Sequence, residues 1–535
     1  VSSSANLPAP YLGQDTQTPT AALKSPYCET LYNFNTTKEG ISLRNGDSKW
    51  VSKSLNTTGG ATSEEAAAIV KYGETYAFIV CYCAGPGLKN RYYDISTEGA
   101  APTLAYTSTT MSYQTIYTSY FNQYLFFFNG QDQNVDYFNG SAWGAATYTM
   151  PVGLSPIGGC TFKNRHYIIF KDSASLGYSG IKSISGTITE VPLAGVISNA
   201  STIAAVVPFN VTISANTEQV LAVVFFSGEV LFYTGSYPDS DSWGLVGTAN
   251  IGKPIHYNSV VTAYQGDSLV ACYTGLVSLR DVYTNGSIQA EQQLITQSIT
   301  PDWTDLTNRI YATYGSIQTL TFAVITWWKE QGRLVVTFCV QPSSSTIYAD
   351  VGSTFFVYDT LRRSWSVHRT FGGVTSAVTS YGAINFKGKL LFIGVTTATS
   401  TQKIIIKSKE GATDFQDVNY DDTTKTSYDY SFVSAPIPFP KTAVYETVQI
   451  EPILESDLYA ETNWNFVVDF GRQTSGNQKT DASTSSVSKP AVNVGMQNIT
   501  YVQVKMSGTT AASKTVGLDL YSYNVWYNAG ETGSR

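Results

Sequence analysis

Short apolar runs recur along this chain, each entered two or three residues after a Gly or Asn. The turn residues are Gly73, Asn122, Asn164, Gly228, Gly266, Gly332 and Gly388, and the runs behind them span 76–80, 124–128, 167–170, 230–233, 269–271, 334–338 and 390–393. Such runs are too short for helices and suit strands reached through residues that tolerate a left-handed backbone. Consecutive turns lie 38 to 66 residues apart. At that period, turn-then-strand units read as antiparallel hairpins, and their radial stacking gives a β-propeller. Six to eight blades fit, because the long intervals 164–228 and 266–332 hold either insertions or a blade that the pattern skips.

The second unit is the cleanest. Its apolar run 124–128 meets Asn129-Gly130, a strong hairpin signal, and later ends in Tyr137-Phe138-Asn139-Gly140-Ser141-Ala142-Trp143. That aromatic-to-Trp ending returns at Tyr358-Asp359 through Ser364-Trp365 and, more weakly, from Tyr237 to Ser242-Trp243. A Trp there is expected to bury a large area against the next blade.

The flanks differ in texture. Residues 1–60 carry Pro8, Pro10, Pro19 and Pro26 and read as an extended arm, with 64–70 able to form a turn or two of helix. Residues 61–415 hold the repeat. From 416 a polar linker (421–425) and Pro436, Pro438 and Pro440 precede strand-like segments at 444–450, 465–468 and 501–504, which predict a smaller C-terminal β domain over 416–535. The Ser/Thr/Gly/Asn-rich stretch 473–489 reads as an exposed loop, and the tail from Asn528 as disordered or used for docking.

Composition supports an all-β chain of 535 residues: 37 Tyr and 25 Phe accompany only 14% charged residues. The net charge of −7, without a basic stripe, argues against binding nucleic acid by phosphate neutralisation. No run approaches ~20 apolar residues, so no membrane span is expected, and no signal peptide is evident. Cys28, Cys81, Cys83, Cys160, Cys272 and Cys339 lie mostly in or beside apolar runs, which predicts core thiols and assembly in a reducing cytoplasm.

Candidate chemistry is sparse. His166, His256 and His368 are the only histidines and lie far apart, which disfavours both a His metal site and a Ser-His-Asp triad. The carboxylate pairs Asp132/Asp136, Asp239/Asp241 and Asp421/Asp422 sit in polar, turn-like stretches where Asp caps turns. Asp239-Ser240-Asp241-Ser242-Trp243 matches a sialidase box only superficially and lacks the Gly and distal Glu of a calcium loop. Arg362-Arg363 reads as a solvated turn, and no phosphate-cradling loop occurs. Sequons at Asn35, Asn56, Asn139, Asn199, Asn210, Asn285 and Asn498 are expected by chance in so Asn/Ser/Thr-rich a chain. No catalytic, cofactor-binding or metal residues are assigned; no enzyme and no cofactor are expected.

The arm carries a resemblance. Tyr11-Leu12-Gly13-Gln14-Asp15-Thr16, then Tyr32-Asn33-Phe34, then Glu39-Gly40-Ile41-Ser42-Leu43-Arg44-Asn45-Gly46 resemble a family of tail hub, stopper and nozzle proteins of short-tailed bacteriophages. Phe356-Val357-Tyr358-Asp359 through Ser364-Trp365-Ser366 looks like that family's blade ending. Ser434-Ala435-Pro436 and Val468-Asp469-Phe470-Gly471 look like its terminal domain. Asn45 stands where the family often has Pro. The resemblance implies a structural virion protein, assembled in the host bacterial cytoplasm, whose homo-hexameric ring continues the DNA channel below the portal and adaptor proteins. It further implies docking of a tail fibre or a needle or plug protein, and double-stranded DNA passing without sequence-specific contacts. The units 164–228 and 266–332 and the loop 473–489 are the candidates for gating or docking, and the acidic balance would limit adhesion of DNA to the wall. The alternative is a carbohydrate-binding or glycan-cleaving propeller, with exposed Trp and Tyr stacking on sugar rings.

Overall fold

A computed structural model describes residues 2–530 except 20–21, 53–54, 57–63, 84–88, 109–115, 214–215, 265, 286–293, 315–320, 341–353, 370–377, 397–402, 411–415, 419–424, 439–443, 457–461, 470–482, 485–490, 498–500 and 511–517. The fold is an all-β propeller with seven blades. Each begins with an inner strand: Glu64–Tyr72, Tyr117–Phe121, Pro156–Phe162, Ile203–Ile213, Val260–Tyr264, Thr321–Trp328 and Val378–Phe386. Antiparallel pairing then steps outward through the blade.

The inner hairpins explain the turn pattern. Phe121 pairs with Tyr124 across Asn122-Gln123, Phe162 with Arg165 across Lys163-Asn164, and Phe386 with Lys389 across Lys387-Gly388. In each of these two-residue loops both φ angles are positive, between 46° and 77°. That geometry matches the right-handed twist of the flanking strands. Gly228 is the exception: it turns between the second and third strands of blade 4, whose first hairpin closes at Ile213 and Asn216. The irregular spacing around 228 is therefore a shift of one hairpin, not an insertion. The other long interval does hold an insertion, helices α1 (Leu279–Asn285) and α2 (Thr300–Tyr314), which follow the three strands described for blade 5.

Apolar clusters between blades run around the ring without a gap. Phe78 and Tyr92 of blade 1 pack on Leu125 and Phe127 of blade 2, and a large cluster joins blades 2, 3 and 4. Further clusters join 4 to 5, 5 to 6 and 6 to 7, and Ile69 and Ile79 return to Leu391 and Ile393 of blade 7. The blade-ending tryptophans serve this packing, but against the preceding blade. Trp143 stacks on Tyr106 of blade 1 at 4.9 Å, and Trp243 on Tyr167 of blade 3 at 6.0 Å. Trp365 joins the core shared with blade 5 and donates its indole N–H to the Ile295 carbonyl at 2.9 Å.

The arm is woven into the molecule. Ser48–Lys49 and Leu55–Asn56 pair with Lys403–Ser408, so the arm supplies the outer edge of blade 7 and closes the ring. Cys28–Tyr32 lies between Ser364–Arg369 of blade 6 and Asp429–Ser434, which makes one ten-stranded sheet from blade 6 into the C-terminal region. Ser2–Pro8, Phe34–Thr36 and Ile41–Leu43 belong to a second sheet built around Leu518–Gly530 and Val444–Ser456. The two sheets enclose one core that includes Phe34, Leu43, Phe432, Met506 and Leu520. Residues of 1–60 and of 416–535 thus share a sandwich.

Two local expectations are corrected. Residues 64–70 belong to a strand, not a helical turn, because Ile69 and Val70 face opposite neighbours, one toward blade 7 and one toward blade 2. The tail from Asn528 continues a strand to Gly530, held by Ser2 on one side and by Val444 and Thr447 on the other. The stretch 473–489 lies outside the described residues except for the short strand Ser483–Thr484.

Candidate functional site

Two places gather unusual chemistry: the junction where the arm meets blade 6, and the propeller axis. Sequence segments hundreds of residues apart converge at the junction. The Gln14 N–H donates to the Trp365 carbonyl at 2.9 Å, and Gly13 (φ +76°) lies so close that a Cβ there would stand 2.5 Å from that oxygen. Only glycine meets both conditions. Asn33, at φ 59°, is the hub: its side-chain Oδ1 accepts from Arg44 Nε at 2.9 Å and from the Arg369 N–H at 2.8 Å. Its side-chain amide donates to the Asp429 carbonyl. Thr36 and Ser364 hydroxyls meet at 2.7 Å, and His368 Nε2 lies 3.1 Å from the Phe34 carbonyl.

Arg44 is fully buried. Besides Asn33 it donates to the Asn45 carbonyl at 2.9 Å and the Arg369 carbonyl at 2.8 Å, and its guanidinium lies 3.9 Å from the Tyr428 ring centroid. Asp47, also fully buried, faces Arg44 at 3.6 Å and Lys409 at 3.5 Å. Glu410 pairs with Arg333 at 3.2 Å and stands 3.6 Å from His368 Nδ1. Burial, reinforced by Lys409, Arg44 and Arg333, holds His368 well below the usual imidazole range. A buried, neutral imidazole whose Nε2 meets the Phe34 carbonyl ties the arm to blade 6 rather than serving as a base.

The second place is an axial cavity of about 550 Å³, lined by the inner strands of all seven blades. Among the described residues, no Lys, Arg, His, Asp or Glu lines it. Small uncharged side chains such as Ala68, Thr118, Thr161, Val324 and Gly382 surround it, with Tyr120 among the lining groups. A duplex of nucleic acid has no room there.

Among the described residues, the sequence's candidate catalytic groups do not come together in either place. The three histidines sit in separate blade environments and are all buried. His166 bonds the Ser119 hydroxyl at 2.7 Å, the distance of a nucleophile and its base, and Tyr148 at 3.2 Å. Burial among Phe121, Phe126 and Phe128 drives its pKa down to about 3, and no carboxylate orients it. The imidazolium that acyl transfer requires is therefore strongly disfavoured. His256 pairs with Tyr117 at 2.7 Å. Asp136 is buried and accepts from Tyr106 and Ser108 of blade 1, while Asp239 of blade 4 accepts from Tyr178 of blade 3, so each serves the contact between neighbouring blades. Asp421 and Asp422 lie outside the described residues. Arg362 of the Arg362-Arg363 turn caps Asp359 at 2.6 Å. No group of three His, Cys, Asp or Glu suited to a metal occurs among the described residues. Cys28, Cys81, Cys83, Cys160 and Cys272 are buried, and burial pushes the Cys160 and Cys272 thiols up; the Cys339 side chain lies outside the described residues. No helix among the described residues is long and apolar enough to cross a membrane.

No protein-family model matches the chain, and no curated protein does. Among solved structures it is similar to the Myceliophteria thermophila Cps50 (Swd1) β-propeller domain, at 10% identity and TM-score 0.38, over 68% of this chain and 98% of that one. It is also similar to Saccharomyces cerevisiae Sqt1 (12%, TM-score 0.38, 68% and 88%) and to YCF48 bound to a D1 peptide (9%, TM-score 0.38, 67% and 95%). These likenesses are too distant to carry function, and the propeller assignment rests on the strand pairing itself.

The site that sequence reasoning missed is the clamp. Arg44 and Asn33 were visible as motif members, yet their partners Asp429, Arg369 and Tyr428 lie more than three hundred residues away. The spacing of Arg44 three residues before Asp47, just after the apolar Ile41 and Leu43, was the available signal.

Proposed function

We propose that this chain is a structural subunit of a short-tailed bacteriophage tail, a wall segment of a hexameric nozzle or hub ring below the portal and adaptor. The observation that carries the reading is the junction. The motifs that resemble the tail family, 11–16, 32–34, 40–46 and 356–366, are scattered in sequence and meet in one clamp that fixes propeller to sandwich. Strand pairing on both sides of the arm removes the hinge that a simple two-domain linker would leave, as suits a subunit that withstands pressure. The axial cavity is too small for duplex, so in this reading DNA passes between subunits and never along a propeller axis. A tail fibre or plug protein docks outside the ring.

The glycan-cleaving alternative finds little support. Asp136 and Asp239 are each engaged by hydroxyls of the preceding blade, and every Trp whose side chain is described is buried or half-buried. Sedimentation followed by negative-stain imaging tests the proposal. Hexameric rings, alone or on an adaptor ring, are expected, with no cleavage of polysaccharide. A free monomer or trimer that cleaves polysaccharide would overturn it.

A further inference from the structure

The axial cavity has a chemistry that the ring proposal does not use. Its described lining is uncharged, with about a third of the side chains bearing a hydroxyl or amide and about half aliphatic, and its volume of about 550 Å³ lies within the range of small-molecule sites. The inner strands also turn their free edges to the lumen, which adds backbone donors and acceptors. At one mouth Tyr120 is 46% exposed, yet its ring is fixed. Its hydroxyl donates to the Lys71 carbonyl and accepts from the Gly73 N–H at 3.3 Å, while Tyr72 flanks the ring at 6.0 Å. An exposed aromatic held at both ends loses little freedom when a flat apolar face is laid on it. Thr118, two residues deeper on the same face of that strand, is exposed to the lumen, and Thr161 of blade 3 and Asn258, just before blade 5, also line it.

We propose that the axial cavity binds a neutral polyhydroxylated ligand of mono- to disaccharide size, with Tyr120 as the stacking platform and Thr118 as a hydroxyl partner. Sugars present both features the lumen offers: an apolar C–H face and a periphery of neutral donors and acceptors. A charged ligand is disfavoured because the described lining offers no counter-charge, and burying an unpaired carboxylate is costly. The fixed Tyr120 phenol stays protonated, since burial, with Tyr72 and Glu74 adding to it, pushes its pKa up to about 12. Hexameric assembly is a separate property, so failure of either proposal leaves the other standing.

The test is saturation-transfer NMR and calorimetry on the intact chain with a panel of neutral mono- and disaccharides, plus a uronic acid. Saturable binding at about millimolar Kd is expected for at least one neutral sugar, with the uronate weaker by about tenfold or more. Tyr120→Ala should weaken binding about tenfold, and Thr118→Trp, which fills the lumen from an exposed position, should abolish it. Tyr311→Ala, at an exposed tyrosine of α2 outside the cavity, should change nothing. The same disaccharide at the end of a long polysaccharide separates a surface glycan from a free sugar as source. Absence of saturable binding by any neutral sugar up to about 10 mM overturns the proposal, as does equal binding of the uronate. So does wild-type affinity in a folded Tyr120→Ala or Thr118→Trp protein.

Discussion

Replacing Arg44 with Met removes the guanidinium while keeping much of its apolar volume. The loss comprises three hydrogen bonds, to Asn33, Asn45 and Arg369, the stacking on Tyr428, and the ion pair with Asp47. Breaking a buried ion pair by removing one partner costs about 3–5 kcal/mol, largely because the other charge is left uncompensated. Here Asp47 keeps Lys409 at 3.5 Å and the Glu410 N–H at 3.2 Å, so it is not orphaned. The expectation therefore falls at the low end, about 3 kcal/mol. Arg44→Lys keeps the charge but not the fork, and should cost about 2 kcal/mol. The Arg44–Asp47 separation of 3.6 Å is beyond hydrogen-bond range, so a double-mutant cycle with Asp47→Asn should return a coupling of only about 1 kcal/mol. Urea unfolding measures these values, and hydrogen exchange over 28–46 shows whether the arm loosens first. A change below about 0.5 kcal/mol for Arg44→Met, or a larger loss for Lys than for Met, would refute the clamp.

Acid should weaken the fold through His166. Its folded pKa of about 3 lies below the unfolded value, so the unfolded chain takes up the proton first and stability falls as pH drops from about 6.5 toward 3. The loss reaches about 3 kcal/mol at pH 4, and His166→Gln should remove about one proton from the slope of stability against pH over that window. Gly13→Ala should cost about 2–3 kcal/mol, since it adds a clash with the Trp365 carbonyl to a left-handed backbone. Gly99→Ala has a similar φ of +75° and nothing within 4 Å, so in urea unfolding it should cost only about 1 kcal/mol; equal losses would refute the close approach.

Much of the propeller was legible because its signals are local. A two-residue hairpin needs positive φ at both loop positions, and Asn122, Asn164 and Gly388 announce it within four residues of sequence. Gly228 misled for the same reason: a left-handed Gly marks a turn without telling which pair of strands it joins. Helix α2 escaped notice in a β-rich chain, although Thr300-Pro301-Asp302 is a helix start and Trp303, Leu306 and Thr307 form its buried stripe.

The candidate sites were less legible. Neither Tyr120 nor Thr118 differs in sequence from the many other aromatic and hydroxyl residues of this chain; the lumen exists only once seven inner strands close around it. Arg44 and Asn33 share the arm, but what they hold comes from blade 6 and the sandwich.

By itself, the sequence determined strands, turns, the repeated hairpin and the apolar faces, since these follow from backbone preference and alternation over a few residues. Only the tertiary structure decided the blade count, the closure of blade 7 by the arm, the neighbour each Trp packs against, and the burial of Arg44 with Asp47. Those depend on contacts between segments hundreds of residues apart, where the free energy lies in shared burial and no local pattern encodes the partner.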